Sequence, residues 1–137
     1  MYVLDASVVL KWFLQEKDTE SALNLKQKYL ARYYNLAFPD LILYELPNAL
    51  RYNKSFSAHT AYEAIENLIS LGVDIVVPTT SMIRNALEIA YKKNITFYDA
   101  AYVSLAQGLG YDFITADEKL YRRIKDLHFA KLLSQIA

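Results

Sequence analysis

The chain has 137 residues, of which 54% are hydrophobic and 22% are charged. This length and composition suit a single globular domain over residues 1–137 and exclude a disordered chain. The absence of cysteine excludes disulfides and thiolate metal sites. The 15 basic and 15 acidic residues cancel, which argues against a strongly basic protein that binds nucleic acid through counterion release. No apolar run approaches a membrane span and no signal pattern opens the chain, so we expect a cytoplasmic protein without membrane contact.

Strand and helix patterns alternate along the first half of the chain. The predicted elements there are a buried strand at Tyr2–Leu4, a short helix capped by Ser7 and reaching residue 12 or 13, a longer helix from Asp18 or Thr19, a weak strand at 35–38, and a helix opened by Pro39-Asp40. The last of these helices contains Glu45 and Pro47. Proline removes a backbone hydrogen bond, so a kink is expected near Glu45.

The second half repeats the alternation. Its predicted elements are an amphipathic helix over 57–71 ended by Gly72, a strand at 73–77, a helix capped by Thr80 or Ser81 and closed near Asn94, a helix begun by Asp99 and stopped by Gly108 and Gly110, a strand at 111–115, a helix begun by Asp117 and ending near Lys125, and a strand at 129–133. Strands separated by such helices imply right-handed crossovers and a parallel sheet covered on both faces.

Four acidic residues lie where predicted strands end or helices begin. They are Asp5, Glu45, Asp99 and Asp117. Ligands of parallel α/β sheets bind beyond the carboxyl ends of the strands, so we expect all four side chains at that edge. Crowded carboxylates repel one another unless a cation lies between them, which makes this cluster a candidate divalent-metal site for phosphoryl chemistry.

Each acid also has a plainer explanation. Asp5, Asp99 and Asp117 are residues that commonly cap helices, and Glu45 alone reads as a solvated helix residue. For Asp5 the cap explanation is weakened by Ser7, which reads as the better-placed cap. For Asp99 it is weakened by apolar neighbours with no adjacent lysine or arginine, because a carboxylate there needs a partner.

Four sequence blocks resemble the PIN-domain ribonucleases, and specifically the VapC toxin subunits of VapBC toxin–antitoxin pairs. The blocks are Val3-Leu4-Asp5-Ala6-Ser7, Pro39-Asp40 leading to Glu45 and Asn48-Ala49-Leu50, Tyr98-Asp99-Ala100-Ala101-Tyr102, and Phe113-Ile114-Thr115-Ala116-Asp117-Glu118-Lys119-Leu120. They occur in the family's order and roughly its spacing, and they span residues 1 to about 124. The resemblance implies an α/β fold of three layers, α/β/α, with a central mainly parallel sheet.

The same resemblance implies an endoribonuclease that depends on Mg²⁺ or Mn²⁺. It assigns Asp5 and Asp99 as direct metal ligands, Glu45 and Asp117 as direct or water-mediated ligands, Ser7 and Thr115 as residues that brace the site, and Asn48 as a polar neighbour of the glutamate. One of the acids would help to deprotonate the attacking water. The resemblance also implies a VapB-like antitoxin as partner and a homodimer. In that family the early helices form a groove that binds a segment of the antitoxin. A partly exposed Trp12 or Phe13 would suit contact with the antitoxin or with a second subunit.

Candidate cations for holding RNA come from the residues themselves. They are Lys11, Arg51, Lys54, and the run of Arg122, Arg123 and Lys125. The plainer interpretation of each is a solvated charge or a cation that stabilises a helix C-terminus. Lys11 is the strongest of the set because it lies one or two helical turns past Asp5.

Three further functions remain compatible with the sequence. An aspartate after the first strand also serves as phosphoryl acceptor in receiver domains and aspartate-nucleophile phosphatases, although the second acid of those sites is missing here. The same fold without catalysis would bind RNA or a protein partner. Cleavage of DNA, or a housekeeping role in RNA processing, is equally compatible with these residues.

Overall fold

The computed structural model describes residues 1–136. Its centre is a five-stranded sheet in the order β3-β2-β1-β4-β5, and every neighbouring pair of strands is parallel. The strands are β1 Tyr2–Leu4, β2 Leu36–Pro39, β3 Asp74–Val76, β4 Asp112–Thr115 and β5 Ala130–Leu132. β1 is therefore the central strand, and Val3 pairs with Ala37 on one side and Phe113 on the other.

Helices connect each strand to the next. They are α1 Ala6–Val9, which continues as a 3₁₀ turn over Leu10–Trp12, then α2 Thr19–Leu30, α3 Ile42–Arg51, α4 Ala58–Ser70, α5 Thr80–Lys93, α6 Phe97–Leu109 and α7 Glu118–Ile124. A second 3₁₀ turn, Leu133–Gln135, follows β5. Across residues 1–136, no helix combines the length and apolar character needed to cross a membrane.

The inner strands of the sheet are buried on both faces. Val3 and Leu4 are fully buried although successive strand residues point to opposite faces, and all four residues of β2 are buried. Among the helices that cover the sheet, α6 packs against β1, β2 and β4 and is itself covered by α5. The short helix α1 contacts β1, β4 and α3. The predicted α/β architecture, with a parallel sheet between helical layers, is confirmed.

Helix starts differ from the sequence prediction at four places. α3 begins at Ile42, because Pro39, which was predicted to open it, is the last residue of β2. Asp5, not Ser7, caps α1, because its side chain accepts hydrogen bonds from the backbone N–H groups of Ser7 and Val8. Thr79 caps α5 through the N–H of Met82, one residue before the predicted Thr80 or Ser81. Thr96 caps α6, which begins at Phe97, so Asp99 lies inside the first turn and does not begin the helix.

One glycine also differs from expectation, and a proline is accommodated inside a helix. Gly108 lies within α6, and Gly110, in the left-handed region at φ 70°, ends the helix. A glycine tolerates that backbone conformation without steric cost, which is why the stop falls there. α3 continues as one helix through Pro47 to Arg51, with Leu46 and Leu50 fully buried on either side of the proline, and the kink expected near Glu45 stays a prediction.

Candidate active site

Asp5 lies at the carboxyl end of the central strand, beside the end of β4. The pairing of Leu4 with Ile114 brings the next residues, Asp5 and Thr115, side by side. Thr115 Oγ1 donates a hydrogen bond of 2.5 Å to Asp5 Oδ2, and Ser7 Oγ donates one of 2.5 Å to Oδ1. The backbone N–H of Ser7 also donates to Oδ1, at 3.1 Å. Both oxygens of this carboxylate, which is only 6% exposed, are therefore held in place.

The two hydroxyl groups also fix the loop between β4 and α7. Ser7 Oγ accepts a hydrogen bond of 2.9 Å from the N–H of Ala116, and Thr115 Oγ1 accepts one of 3.0 Å from the N–H of Asp117. Asp117 Oδ1 in turn accepts from the N–H of Leu120 at 3.0 Å and caps α7. The structure thus places Ser7 and Thr115 as braces between two of the four acids, Asp5 and Asp117.

Glu45 lies in the first turn of α3 and is held from α6. The buried Tyr102 donates a hydrogen bond of 2.6 Å from its hydroxyl to Glu45 Oε1. Sequence reasoning assigned Tyr102 no role, although it lies three residues after Asp99 on the same helix. That spacing puts both side chains on one face of α6. The spacing from Asp99 is therefore the sequence signal that places Tyr102 near the acids.

Asp99 occupies the first turn of α6. Its backbone N–H donates to the capping Thr96 Oγ1 at 3.0 Å. Burial raises the pKa of the Asp99 carboxyl, and the Thr96 side chain lowers it by a smaller amount. The N-terminus of a helix favours negative charge nearby. The side chain is half-buried. Besides the larger effect of burial in each case, the charge of Asp99 raises the pKa of Glu45, and the charge of Asp117 raises the pKa of Asp99.

Burial and mutual repulsion raise the pKa values of three of the acids. Burial raises the pKa of Asp5 to about 7 against the hydrogen bonds from Ser7 and Thr115, and the charge of Asp99 raises it further. Burial and then the charge of Asp99 raise the pKa of Glu45, although Tyr102 opposes the shift. Burial and the charge of Asp117 raise the pKa of Asp99 itself. Asp99 is therefore electrostatically coupled to the other three acids.

The donor chemistry of this group fits a divalent cation. None of the four acids forms an ion pair with a basic residue in the part of the chain that the structure describes. Carboxylate oxygens that raise one another's pKa and lack a cationic partner are the ligands that Mg²⁺ and Mn²⁺ take in proteins. Within residues 1–136, no three acidic or histidine side chains already converge tightly enough to enclose an ion. An ion held directly by fewer of these carboxylates would keep water in its remaining positions, as Mg²⁺ commonly does in proteins.

Two clefts flank the acids. One, named here the α7 cleft, is lined by Asn94, Thr96, Asp99, Asp117, Lys119 and Arg123. The other, named here the α3 cleft, is lined by Leu41, Tyr44, Glu45, Asn48 and Tyr98. Asn48 thus lines the same cleft as Glu45, and its role as a polar neighbour of the glutamate stays a prediction. Tyr44 and Tyr98 also border an apolar hollow between α3, α5 and α6 that includes Met82 and Ile83.

The candidate RNA-holding cations are scattered. Lys11 Nζ is 3.5 Å from Glu16 Oε1 and its side chain is only 11% exposed, so its charge is already paired. The Arg51 guanidinium lies 5.7 Å from the centre of the Tyr52 ring, away from both clefts. The remaining candidates are exposed, and of these Lys54, Arg122 and Lys125 line neither cleft, whereas Arg123 lines the α7 cleft.

Trp12 is a core residue, contrary to the partial exposure considered for it. It is 8% exposed, and its indole N–H donates a hydrogen bond of 2.8 Å to the carbonyl of Ala22. The Lys26 ammonium lies 5.6 Å from the ring centre and covers it from α2. Phe13 is half-buried, so it keeps the partial exposure that the sequence suggested.

Known proteins resemble the chain over most of its length. The sequence pattern of the PIN domain family matches residues 2–126. Ribonuclease VapC3 of Pyrobaculum aerophilum is 28% identical over 129 residues, which cover 91% of this chain and 95% of that protein. VapBC2 from Rickettsia felis, solved on a DNA fragment from its promoter, has a TM-score of 0.72 at 18% identity and covers 96% of this chain and 97% of that one.

A toxin–antitoxin complex from Klebsiella pneumoniae also has a TM-score of 0.72, at 12% identity, and covers 99% of this chain and 100% of that one. At such low identities the two structures establish the shared fold. The family pattern covers all four acids and both bracing hydroxyls. The chain belongs to the PIN domain family.

Proposed function

We propose that the chain is an endoribonuclease that uses Mg²⁺ or Mn²⁺, and that it is the toxin component of a toxin–antitoxin pair. The observation that carries the proposal is the set of four carboxylates at one edge of a PIN-family sheet, coupled through Asp99 and without an ion-pair partner among the described residues. The similarity to Ribonuclease VapC3 supports RNA as the substrate.

Each acid has a part in this proposal. Asp5 and Asp99 would hold the cation directly, and Glu45 and Asp117 would hold it directly or through water. A bound Mg²⁺ or Mn²⁺ supplies a water of lowered pKa and stabilises charge on the scissile phosphate. Ser7 and Thr115 keep Asp5 in one orientation through its two oxygens. Glu45, whose pKa burial raises, suits the task of accepting a proton from the attacking water.

The proposed partners follow from the same comparisons. A VapB-like antitoxin is the proposed protein partner, because solved structures that share the fold are toxin–antitoxin complexes. A homodimer is also part of the proposal and rests on the family resemblance alone. Sedimentation of the purified chain, with and without a co-expressed small neighbouring gene product, measures both associations.

Cleavage of a defined RNA pool tests the enzymatic proposal. The wild type is expected to cut RNA with Mn²⁺ or Mg²⁺ and to stop when EDTA is added. Asp99→Asn is expected to abolish cutting while the protein stays folded. Asp74→Asn, which changes an exposed acid at the start of β3, is the matched control and keeps full activity. Undiminished cutting by Asp99→Asn, or cutting in EDTA, would refute the assignment. The same assay with DNA decides between the two nucleic acids.

A phosphoryl acceptor and a non-catalytic binding module would each leave a distinct signature. A phosphoryl-accepting Asp5 would lack the second acid that aspartate-nucleophile phosphatases carry two residues later, because that position is Ser7 here. Covalent labelling by beryllium fluoride would nevertheless reveal it. A non-catalytic binding module would retain RNA in the presence of metal without producing fragments.

A further inference from the structure

The two clefts beside the acids differ in chemistry. The α3 cleft presents two large exposed rings, since Tyr44 is 73% exposed and Tyr98 is 59% exposed. The α7 cleft presents two exposed cations, Lys119 and Arg123. Each cleft contains part of the acidic group, with Glu45 on the aromatic side and both Asp99 and Asp117 on the cationic side. A ligand that crosses the acids therefore meets rings on one side and positive charge on the other.

The tyrosines are placed by the same turns that carry the acids. Tyr44 directly precedes Glu45 in the first turn of α3, and Tyr98 directly precedes Asp99 in the first turn of α6. The Phe97 ring packs edge-on against Tyr98, with ring centres 6.4 Å apart, and so restricts its orientation. Exposed aromatic rings beside a nucleic-acid site are platforms on which unpaired bases stack.

The cations lie on one face of α7. Lys119 and Arg123 are four residues apart, a spacing that brings like charges together on one side of the helix. Neither forms an ion pair with any residue from 1 to 136. Both instead line the cleft that contains Asp99 and Asp117. Two unpaired cations facing carboxylates that would carry metal are suited to phosphate oxygens on either side of the scissile bond.

We propose that Tyr44 and Tyr98 stack on an unpaired RNA base next to the scissile phosphate, while Lys119 and Arg123 bind the backbone phosphates on the other side of the acids. The chain thereby recognises an unpaired segment that runs from the α3 cleft to the α7 cleft. This inference rests on the proposed nuclease function, and it adds the residues that position the strand. None of the four touches the reacting atoms, so all are positioning residues.

Paired variants test the aromatic half. Tyr98→Leu is expected to weaken binding of a short single-stranded RNA about tenfold, because it removes one stacked base. Tyr98→Phe keeps the ring and is expected to bind like the wild type. Tyr91→Leu is the matched control, since Tyr91 is 87% exposed on α5 and lines neither cleft. Binding is measured by anisotropy in EDTA, and quenching of 2-aminopurine in the RNA reports the stack.

Charge removal tests the cationic half. Arg123→Gln and Lys119→Gln are each expected to weaken binding severalfold and to reduce the slope of log affinity against log salt by about 0.7. Arg122→Gln is the control, because it removes the same charge from the neighbouring position of α7 but lies outside the cleft. If Arg122→Gln reduces this slope as much as the two cleft variants do, net charge alone accounts for the change in RNA affinity. That result would overturn the assignment.

Failure of this inference and failure of the nuclease proposal give different results. If the wild type cuts RNA with metal but the Tyr98→Leu and Arg123→Gln variants keep its KM and kcat, the positioning roles are wrong and the nuclease stands. If no RNA is cut at all, the function itself fails. If Tyr98→Leu changes the sedimentation of the protein but not its RNA affinity, the rings contact a second copy of the chain. Their role in base stacking would then be overturned. Equal affinity for duplex and single-stranded RNA would also overturn the inference.

Discussion

Asp5 is held at an energetic cost that its hydrogen bonds only partly offset. The carboxylate is buried at the sheet edge, where desolvation raises its pKa despite donors on both oxygens. The same side chain caps α1. A carboxylate has enough lone pairs to accept from Ser7 and Val8 and still face a metal, so capping and ligation are compatible roles for this residue. A site residue of this kind reduces stability in exchange for function.

Asp5→Asn is expected to stabilise the metal-free protein at neutral and higher pH. The folded-state pKa of about 7 lies above the ordinary value of 3.8, so the folded state holds this proton more tightly. The stability that this group contributes is fully present below pH 4 and is lost as pH rises to about 7. The difference amounts to as much as about 4 kcal/mol above pH 7. Asparagine is uncharged and also caps helices well, so α1 is retained.

Urea unfolding in EDTA at a series of pH values measures this difference. The two proteins should have similar free energies of unfolding near pH 4, and the variant should become the more stable one between pH 4 and 7. Equal stabilities at pH 8 would mean that the buried carboxylate costs nothing there. RNA cleavage by the variant is expected to be lost throughout.

Tyr102 acts on Glu45 through a single hydrogen bond. Its hydroxyl is buried, with a pKa far above the usual value because of burial and the neighbouring Glu45, so it remains a donor at all ordinary pH values. Partners that orient a metal ligand typically affect metal affinity 10–100-fold. A tyrosine in a helix rich in buried residues reads from sequence as core packing, which explains why its role was not predicted.

Tyr102→Phe is expected to raise the Mn²⁺ concentration for half-maximal cleavage about tenfold. Cleavage at saturating Mn²⁺ should stay close to that of the wild type, because Glu45 itself remains. Tyr29→Phe is the matched control, since it removes a hydroxyl that donates to the carbonyl of Leu71 at 2.8 Å, far from the acids. An unchanged Mn²⁺ requirement in Tyr102→Phe would show that Glu45 needs no such support.

At the scale of elements, α6 presents much of the site from one end. Its first turn carries Tyr98 and Asp99, and Tyr102 follows one turn later. Sequence reasoning placed the start of this helix at Asp99, because aspartate is a preferred cap. Thr96 caps the helix instead, since its hydroxyl accepts a hydrogen bond from the N–H of Asp99. Both residues are good caps, and only the path of the preceding loop decides between them. That path depends on tertiary packing, which local sequence does not encode.

Thr96→Ala is expected to destabilise the protein by about 1 kcal/mol, the usual cost of losing a cap. It should also reduce cleavage severalfold, because the turn that holds Asp99 is then free to fray. Ser57→Ala removes the comparable cap of α4, a helix that lines neither cleft. It should lose similar stability but keep its activity. Urea unfolding together with cleavage rates separates the two effects, and equal activity in both variants would contradict the role of Thr96.

At the scale of the whole molecule, the fold gathers acids that are distant in sequence. β1 lies at the centre of the sheet, so Asp5 lies beside the ends of both β2 and β4. The alternation of strands and helices was sufficient to predict a parallel sheet and the edge at which the acids lie. The strand order was beyond reach, because strands of three or four residues carry too little sequence pattern to select one neighbour over another. The α3 and α7 clefts were also missed, since exposed tyrosines and lysines are ordinary surface residues in sequence.

The divalent metal proposed for these carboxylates would bind the folded state alone. In the unfolded chain the acids are far apart and bind metal weakly, so Mn²⁺ should stabilise the fold by about 2.7 kcal/mol at one hundred times its Kd. The stabilisation should be larger at pH 8 than at pH 5, because protons compete for Asp5, Glu45 and Asp99, whose pKa values are all raised.

Urea unfolding with increasing Mn²⁺ tests this expectation, with EDTA as the zero point. Asp99→Asn should lose most of the stabilisation, because Asp99 couples to the other three acids. Asp74→Asn changes an exposed acid at the opposite edge of the sheet and should respond like the wild type. If Asp99→Asn gains as much stability from Mn²⁺ as the wild type does, the metal binds elsewhere. The edge of the sheet would then carry four repelling charges with no ion to relieve them.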